Sequence, residues 1–357
     1  MKVLFIAYVD FKPTQVGASV RPQKMYRAFL DAGHEVKLLA VSQNRSEWPR
    51  RKAAIREIME WLDTNTPDLC YIESHVYPII LPEDYRLIRK LHRMGVPTGY
   101  FYRDFYKKFP KEFPKRNDLA GWCKDTLKDL LQAKTDRLLR QVDIVYVPCR
   151  ECREIFSEYA DVRPLPPAGE DHRKYRGQGG NTAIYVGGIT ASYGGALMLE
   201  AFHRLNGEGD YPLLLICREN EWEKLDSPFK AEPWLEVHHA SSEQLIPYYE
   251  RAGVALAINR GTEYDDHAIS VKLYEYIGFG LPIVVCGSQS MERLIEEGGF
   301  GKRAECTPEA IAEAVKYVLA HRDEYAERAE EALLRSGLWS HRVEQVVREL
   351  SEKKTKK

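Results

Sequence analysis

The pattern of apolar runs, glycines and helical spacings in this chain begins twice, and that restart limits the folds open to it. Residues 2–8 form a short β-rich apolar run, followed by a polar loop through Gly17 and then a helical pattern. The segment Thr182-Ala-Ile-Tyr-Val-Gly-Gly188 opens the same succession again. In the first half Met25/Phe29 and Tyr26/Leu30 are spaced i,i+4, with Pro22 near the expected first turn and Gly33 just past the last. Further strands read at 35–41, 69–73, 98–102 and 144–147, with helices between them. Such alternation predicts a parallel, doubly wound sheet. The second half repeats it, with strands at 213–217, 235–239, 254–258 and 283–286 and helices at 243–252, 270–279, 290–297, 308–320 and 323–335. A last helix carries Val343, Val346, Val347 and Leu350 on one stripe, and the basic tail 353–357 reads as a solvated, disordered end.

Between the halves, Arg163-Pro-Leu-Pro-Pro-Ala-Gly169 is a stiff connector, followed by polar and Gly-rich residues to Gly180. The expected division is 1–165, 174–336 and a terminal segment 337–357. A length of 357 residues suits two cores better than one. The net charge of −1 gives nucleic acid no whole-chain attraction, and no nucleic-acid motif is present. No apolar run approaches the ~20 residues a membrane span needs. Met1-Lys2 leads straight into the first strand, so no signal peptide is expected. Seven scattered cysteines fit a reducing cytosol. Cys149 and Cys152 have CxxC spacing after a strand; the pair reads as reduced structural thiols, with redox chemistry as the alternative and no second pair to complete a zinc site.

In open α/β sheets, ligands bind at the carboxyl ends of the strands. Three stretches fall there. Gln15-Val16-Gly17-Ala18-Ser19 precedes the first helix, and Gly17 is either a phosphate-approach glycine or a simple turn. The loop 186–195 has glycine on both sides of a strand-to-helix turn, including Gly188, but lacks the GK[ST] of a Walker loop. The third stretch runs from His267 to Pro282. Lys272 and Glu275 lie three apart on one helix face, as a cation for a diphosphate and an acceptor for ribose hydroxyls, or as an ordinary surface ion pair.

The segment Ser270-Val-Lys272-Leu-Tyr-Glu275-Tyr-Ile-Gly-Phe-Gly280-Leu-Pro282 resembles the donor-binding motif of retaining glycosyltransferases of family 4, which have the GT-B fold. Ala32-Gly-His-Glu-Val36, Leu165-Pro-Pro-Ala-Gly169, Tyr185-Val-Gly-Gly-Ile189 and Leu338-Trp339-Ser-His-Arg342 resemble other segments of that family in the same order. The resemblance implies two Rossmann-like α/β domains with parallel sheets facing across a cleft. It makes 1–165 the acceptor domain, 174–336 the nucleotide-sugar domain and 337–357 a helix returning to the first. It also implies retention at the anomeric carbon, no metal and no cofactor beyond the nucleotide-sugar substrate, UDP-linked as the first guess. Glu275 matches the second Glu of the family's E-x7-E motif and would bind the ribose, with Lys272 on the diphosphate. Departures exist: His267 stands at the first Glu, after Asp265 and Asp266, and Gly188 and Tyr193 stand where the family has Arg and Lys. A cation is still needed against the leaving diphosphate, and Arg218, at the end of a strand, is a candidate.

In the first half, Arg103 and Asp104 follow a strand where the family often has His-Asp. Asp104 would orient the acceptor or the donor sugar and Arg103 would meet a phosphate, unless the two only pair with each other. Glu73 and His75, after another strand, are further acceptor-site candidates. The acceptor would be a glycan or a lipid-linked molecule. Residues 103–140 hold eleven basic residues against six acids, with Tyr102, Phe105, Tyr106, Phe109, Phe113 and Trp122 in or beside the stretch. That mixture suits peripheral contact with an anionic membrane on its cytoplasmic face, or a solvated helix over ordinary core aromatics. The rival readings are a nucleotide-sugar epimerase on the same fold, drawing on Glu73, Asp104 and His267, and a degenerate subunit that supports an active partner. A nicotinamide enzyme lacks its GxGxxG.

Overall fold

The computed structural model describes residues 1–11, 17–176, 180–190, 193–240 and 242–354; for 17, 18, 242 and 243 the backbone alone is described. The chain forms two compact units, Met1–Pro166 with Trp339–Lys357, and Pro167–Leu338.

The first unit is built on strands β1 (Lys2–Ala7), β2 (Glu35–Ala40), β3 (Leu69–Glu73), β4 (Thr98–Phe101), β5 (Ile144–Val147) and β6 (Val162–Pro164). They lie in the order β2-β1-β3-β4-β5-β6, all parallel. The order reverses between β1 and β3, where Ala7 sits opposite Glu73. Because helices cover both faces, the central strands are buried throughout: β3 reads Leu-Cys-Tyr-Ile-Glu and every residue is buried. The helix Gly17–Asp31 begins earlier than the sequence suggested, so Pro22 lies inside it rather than in its first turn. A prolyl nitrogen there gives up one rung of the helical ladder.

The second unit has β7 (Ala183–Val186), β8 (Leu213–Ile216), β9 (Leu235–His238), β10 (Val254–Ile258), β11 (Ile283–Cys286) and β12 (Gly301–Arg303), in the order β12-β11-β10-β7-β8-β9 and again all parallel. Its switch point lies between β7 and β10. One face buries Met198, Phe202 and Val315, the other Tyr249, Leu273 and Ile277. In place of a single helix at 243–252 there is a 3-10 turn, Ser242–Leu245, followed by the helix Ile246–Glu250.

The last helix, Trp339–Lys354, packs on the first unit's helix Gly17–Asp31 and on β3 and β4. It buries Trp339, Val343, Val346 and Leu350 there. The first two residues of the basic tail are not a solvated end. Lys353 pairs with Asp161 at 2.8 Å and Lys354 with Asp68 at 2.9 Å, and the helix runs through both; 355–357 lie outside the described residues. Among the described residues, no helix is long and apolar enough to cross a membrane.

Candidate functional site

In the second unit, four segments converge on the carboxyl edge of the sheet: Gly187-Gly188 after β7, Arg218 after β8, Asn259-Arg260-Gly261 after β10, and the amino end of the helix Val271–Gly278. Ser270 caps that helix, its Oγ accepting from Lys272 N at 3.2 Å. Within it, Lys272 Nζ donates to Glu275 Oε2 at 2.8 Å, and both side chains keep about a third of their surface exposed, 36% and 28%. The helix is held from beneath by the connector. Gly169 lies so near it that a Cβ there would stand 2.3 Å from Tyr274 O, and His172 N donates to Gly278 O at 2.9 Å. Tyr249 is buried beside Glu275; burial first, then that carboxylate's charge, raises its phenol well above its ordinary pKa.

The loop after β7 explains two departures at once. A Cβ on Gly188 would lie 2.8 Å from the ring of Tyr193, so glycine at 188 and tyrosine at 193 are one change: the ring occupies the space a side chain at 188 would need. Tyr185 Oη donates to Gly188 O at 2.6 Å. Residues 191 and 192 of this loop lie outside the described residues. Sequence reasoning missed Glu221. One of its oxygens accepts from Ile189 N at 3.0 Å and the other from Arg218 at 2.5 Å, so it ties the loops after β7 and β8 together. Its i,i+3 spacing to Arg218 was visible, but the amide it holds comes from a loop more than thirty residues away. Arg218 is 74% exposed and stands at the start of the short helix Glu219–Lys224, beside β7 on the side away from the switch point.

The acids around His267 shape the backbone. Asp265 accepts from Thr262 N at 3.2 Å, and Asp266 accepts from Gln289 N at 3.0 Å, at the start of the helix Gln289–Gly298. His267 Nδ1 lies 2.9 Å from Glu263 O.

In the first unit, Gly17 is the first residue of its helix, and 12–16, including Gln15 and Val16, lie outside the described residues. Glu73 is fully buried, corrected here from an acceptor-facing side chain to an internal partner. Arg21 Nε donates to its Oε1 at 3.2 Å and Tyr71 Oη at 2.7 Å, while the guanidinium also stacks on Phe101 and reaches Pro166 O. Arg103 and Asp104 stand at the carboxyl end of β4, 3.4 Å apart and partly exposed, with Arg103 N donating to Ser74 Oγ at 2.9 Å. His75, after β3, has its pKa lowered by burial first and then by the charges of Arg103 and Arg51. His75, Arg103 and Asp104 therefore share one edge.

The thiols of Cys149 and Cys152 are buried, 3.3 Å apart, and burial pushes the Cys152 pKa up, away from a reactive thiolate. In the 103–140 stretch, Lys107 and Lys115 pair with Asp129, Lys108 with Glu158, and Arg116 with Asp125. Much of its charge is thus answered locally.

Residues 196–348 match a Glycosyl transferase-like family model. That is less than half of the chain, but it contains Arg218, Glu221, Arg260, Lys272 and Glu275. No curated protein is similar enough in sequence to match. Among solved structures, the sucrose-phosphate synthase of Thermosynechococcus elongatus is 12% identical with a TM-score of 0.67, covering 100% of both chains. A glycosyltransferase from Rickettsia africae is 11% identical with a TM-score of 0.67, covering 99% of this chain and 98% of that one. Anabaena HepE, solved with UDP, is 11% identical with a TM-score of 0.67, covering 99% and 100%. The fold is therefore the two-Rossmann-domain GT-B fold of glycosyltransferases. Within that class, the stretch similar to the Glycosyl transferase-like family lies in the second unit as far as Leu338 and continues into the returning helix.

Proposed function

We propose that this protein is a retaining, metal-independent glycosyltransferase that moves a hexosyl group from a nucleotide-sugar, UDP-linked as first choice, to a glycan or lipid-linked acceptor. The observation that carries the reading is the Lys272–Glu275 pair at the carboxyl edge of the second sheet, inside the stretch similar to glycosyl transferases. The two side chains offer a cation and a carboxylate 2.8 Å apart, matching a diphosphate beside a ribose diol. The HepE structures with UDP and with UDP-glucose support uridine as the first base to try.

In this reading the bond from the anomeric carbon to the diphosphate oxygen breaks and its electron pair stays on that oxygen. The acceptor oxygen bonds to the same face of the carbon, and its proton passes to the departing diphosphate. The protein supplies positioning and charge stabilisation. On the first unit, Asp104 and His75 orient the acceptor and Arg103 meets a phosphate. The helix Leu119–Leu139 supports a membrane-associated acceptor: Leu119, Trp122, Leu127 and Leu130 are exposed on it beside Lys124.

The test is a thermal-shift screen against UDP, GDP, ADP and their sugars without metal. A ligand that binds only the folded chain at a hundredfold excess over its Kd stabilises it by about 2.7 kcal/mol. A shift with one nucleotide that disappears in Glu275→Ala supports the reading, and product stereochemistry by NMR then tests retention. Folded protein that responds to none of them sinks it and favours the degenerate-subunit reading.

A further inference from the structure

Every cation considered so far at this edge is already engaged. Lys272 is held by Glu275 and Arg218 by Glu221, each by an acid three residues along its own chain. Arg260 differs. It is the second residue after β10, and β10 is the strand that borders β7 at the switch point. It is exposed and has no ion-pair or hydrogen-bond partner among the described residues.

The backbone around it is fixed from both sides. Asn259 N donates to Cys286 O at 2.9 Å, and Asn259 O accepts from Cys286 Sγ at 3.8 Å and Cys306 Sγ at 3.6 Å. Beyond it, Gly261 has φ +79° and faces Gly287 at φ +74°. A Cβ on Gly287 would lie 2.4 Å from Asn259 O and 2.7 Å from Gly261 N, so two loops meet backbone to backbone and only glycine permits it. Thr262 is then held by the Asp265 carboxylate. The result is an unengaged guanidinium on a rigid stem at the crevice where open α/β sheets bind ligands. Arginine's planar fork suits a phosphate, and a cation carried on a fixed backbone at this edge can meet the charge that develops on a leaving group.

We infer that Arg260 binds the diphosphate of the donor and is the cation that replaces the one missing at Gly188, taking the role the sequence offered to Arg218. The inference rests on the nucleotide-sugar reading above. It is tested by titrating the full chain with UDP, GDP, ADP and uridine, by calorimetry and ligand-observed NMR, in the unaltered protein and in Arg260→Ala, Arg260→Lys and Glu275→Ala. Arg260→Ala is expected to weaken UDP about ten- to hundredfold, the loss of one hydrogen-bonded charge contact. Uridine, which lacks the phosphates, is expected to bind unchanged, and Arg260→Lys to recover part of the UDP affinity. UDP binding that is intact in Arg260→Ala but lost in Glu275→Ala overturns the role of Arg260 and leaves the donor site standing. Equal losses for UDP and uridine overturn it too, by pointing to the loop's shape. An unaltered protein that binds none of UDP, GDP or ADP removes both readings together.

Discussion

At the scale of single residues, the pair Gly169 and Tyr274 shows how the connector serves the site. Glycine at 169 lets the connector touch the carbonyl edge of the helix that carries Lys272 and Glu275. Gly169→Ala places a methyl group 2.3 Å from Tyr274 O, so something must shift. The expected cost is about 1–3 kcal/mol, read by denaturant titration, with UDP affinity falling alongside stability because the helix moves. His75 makes a pH prediction. Its folded pKa lies below the ordinary 6.5, so the unfolded chain takes up the proton first. The stability it contributes is complete above pH 6.5 and is lost as the pH falls through that value. His75→Gln should therefore flatten the pH dependence of unfolding below pH 6.5; an unchanged slope would sink this assignment. Residue spacing made Lys272 and Glu275 legible in the sequence, since i,i+3 partners share a helix face. The engagement of Glu221 with Ile189 N and the isolation of Arg260 were not legible. Both depend on which strands lie side by side.

At the scale of elements, alternation and burial made most strands readable. β3, β5, β10 and β11 fall where their apolar runs do. β6 (Val-Arg-Pro) and β12 (Gly-Lys-Arg) were not readable, because three residues at a sheet edge carry no periodicity and little apolar content. The helix Leu119–Leu139 follows a different rule from its neighbours. It buries Gly121, Thr135, Leu138 and Leu139 but exposes 79% of Leu119, 58% of Leu127 and 67% of Leu130. If this face meets a membrane, Leu127→Glu with Leu130→Glu should abolish sedimentation with vesicles containing phosphatidylglycerol. Thermal stability should change little, because neither side chain supports the core. Binding that survives the double change would assign the face to another role.

At the scale of the molecule, the chain passes from the first unit to the second after Pro166 and back after Leu338. The returning helix is part of the first unit's core, not an appendage. Leu350 is fully buried, and its methyl lies close to Gly99 of β4. Leu350→Ala is expected to cost about 2–5 kcal/mol. Hydrogen exchange should show the loss spread over the first unit and absent from β7 to β12. Equal loss in both units would mean that they unfold as one. The restart of the pattern at 182 made two units legible, and the order of strands within each sheet was beyond the sequence. Periodicity tells a strand from a helix, but neighbours are chosen by which crossings pack.

The ends of the second unit lie side by side: Gly169 N donates to Gly337 O at 2.8 Å, and Gly169 bridges Leu338 in parallel. The stumps left in the first unit also meet, since Arg342 Nε donates to Pro166 O at 2.9 Å. In terms of chain path, the second unit thus leaves and re-enters the first at neighbouring points, so a short loop could close the gap between Pro166 and Trp339.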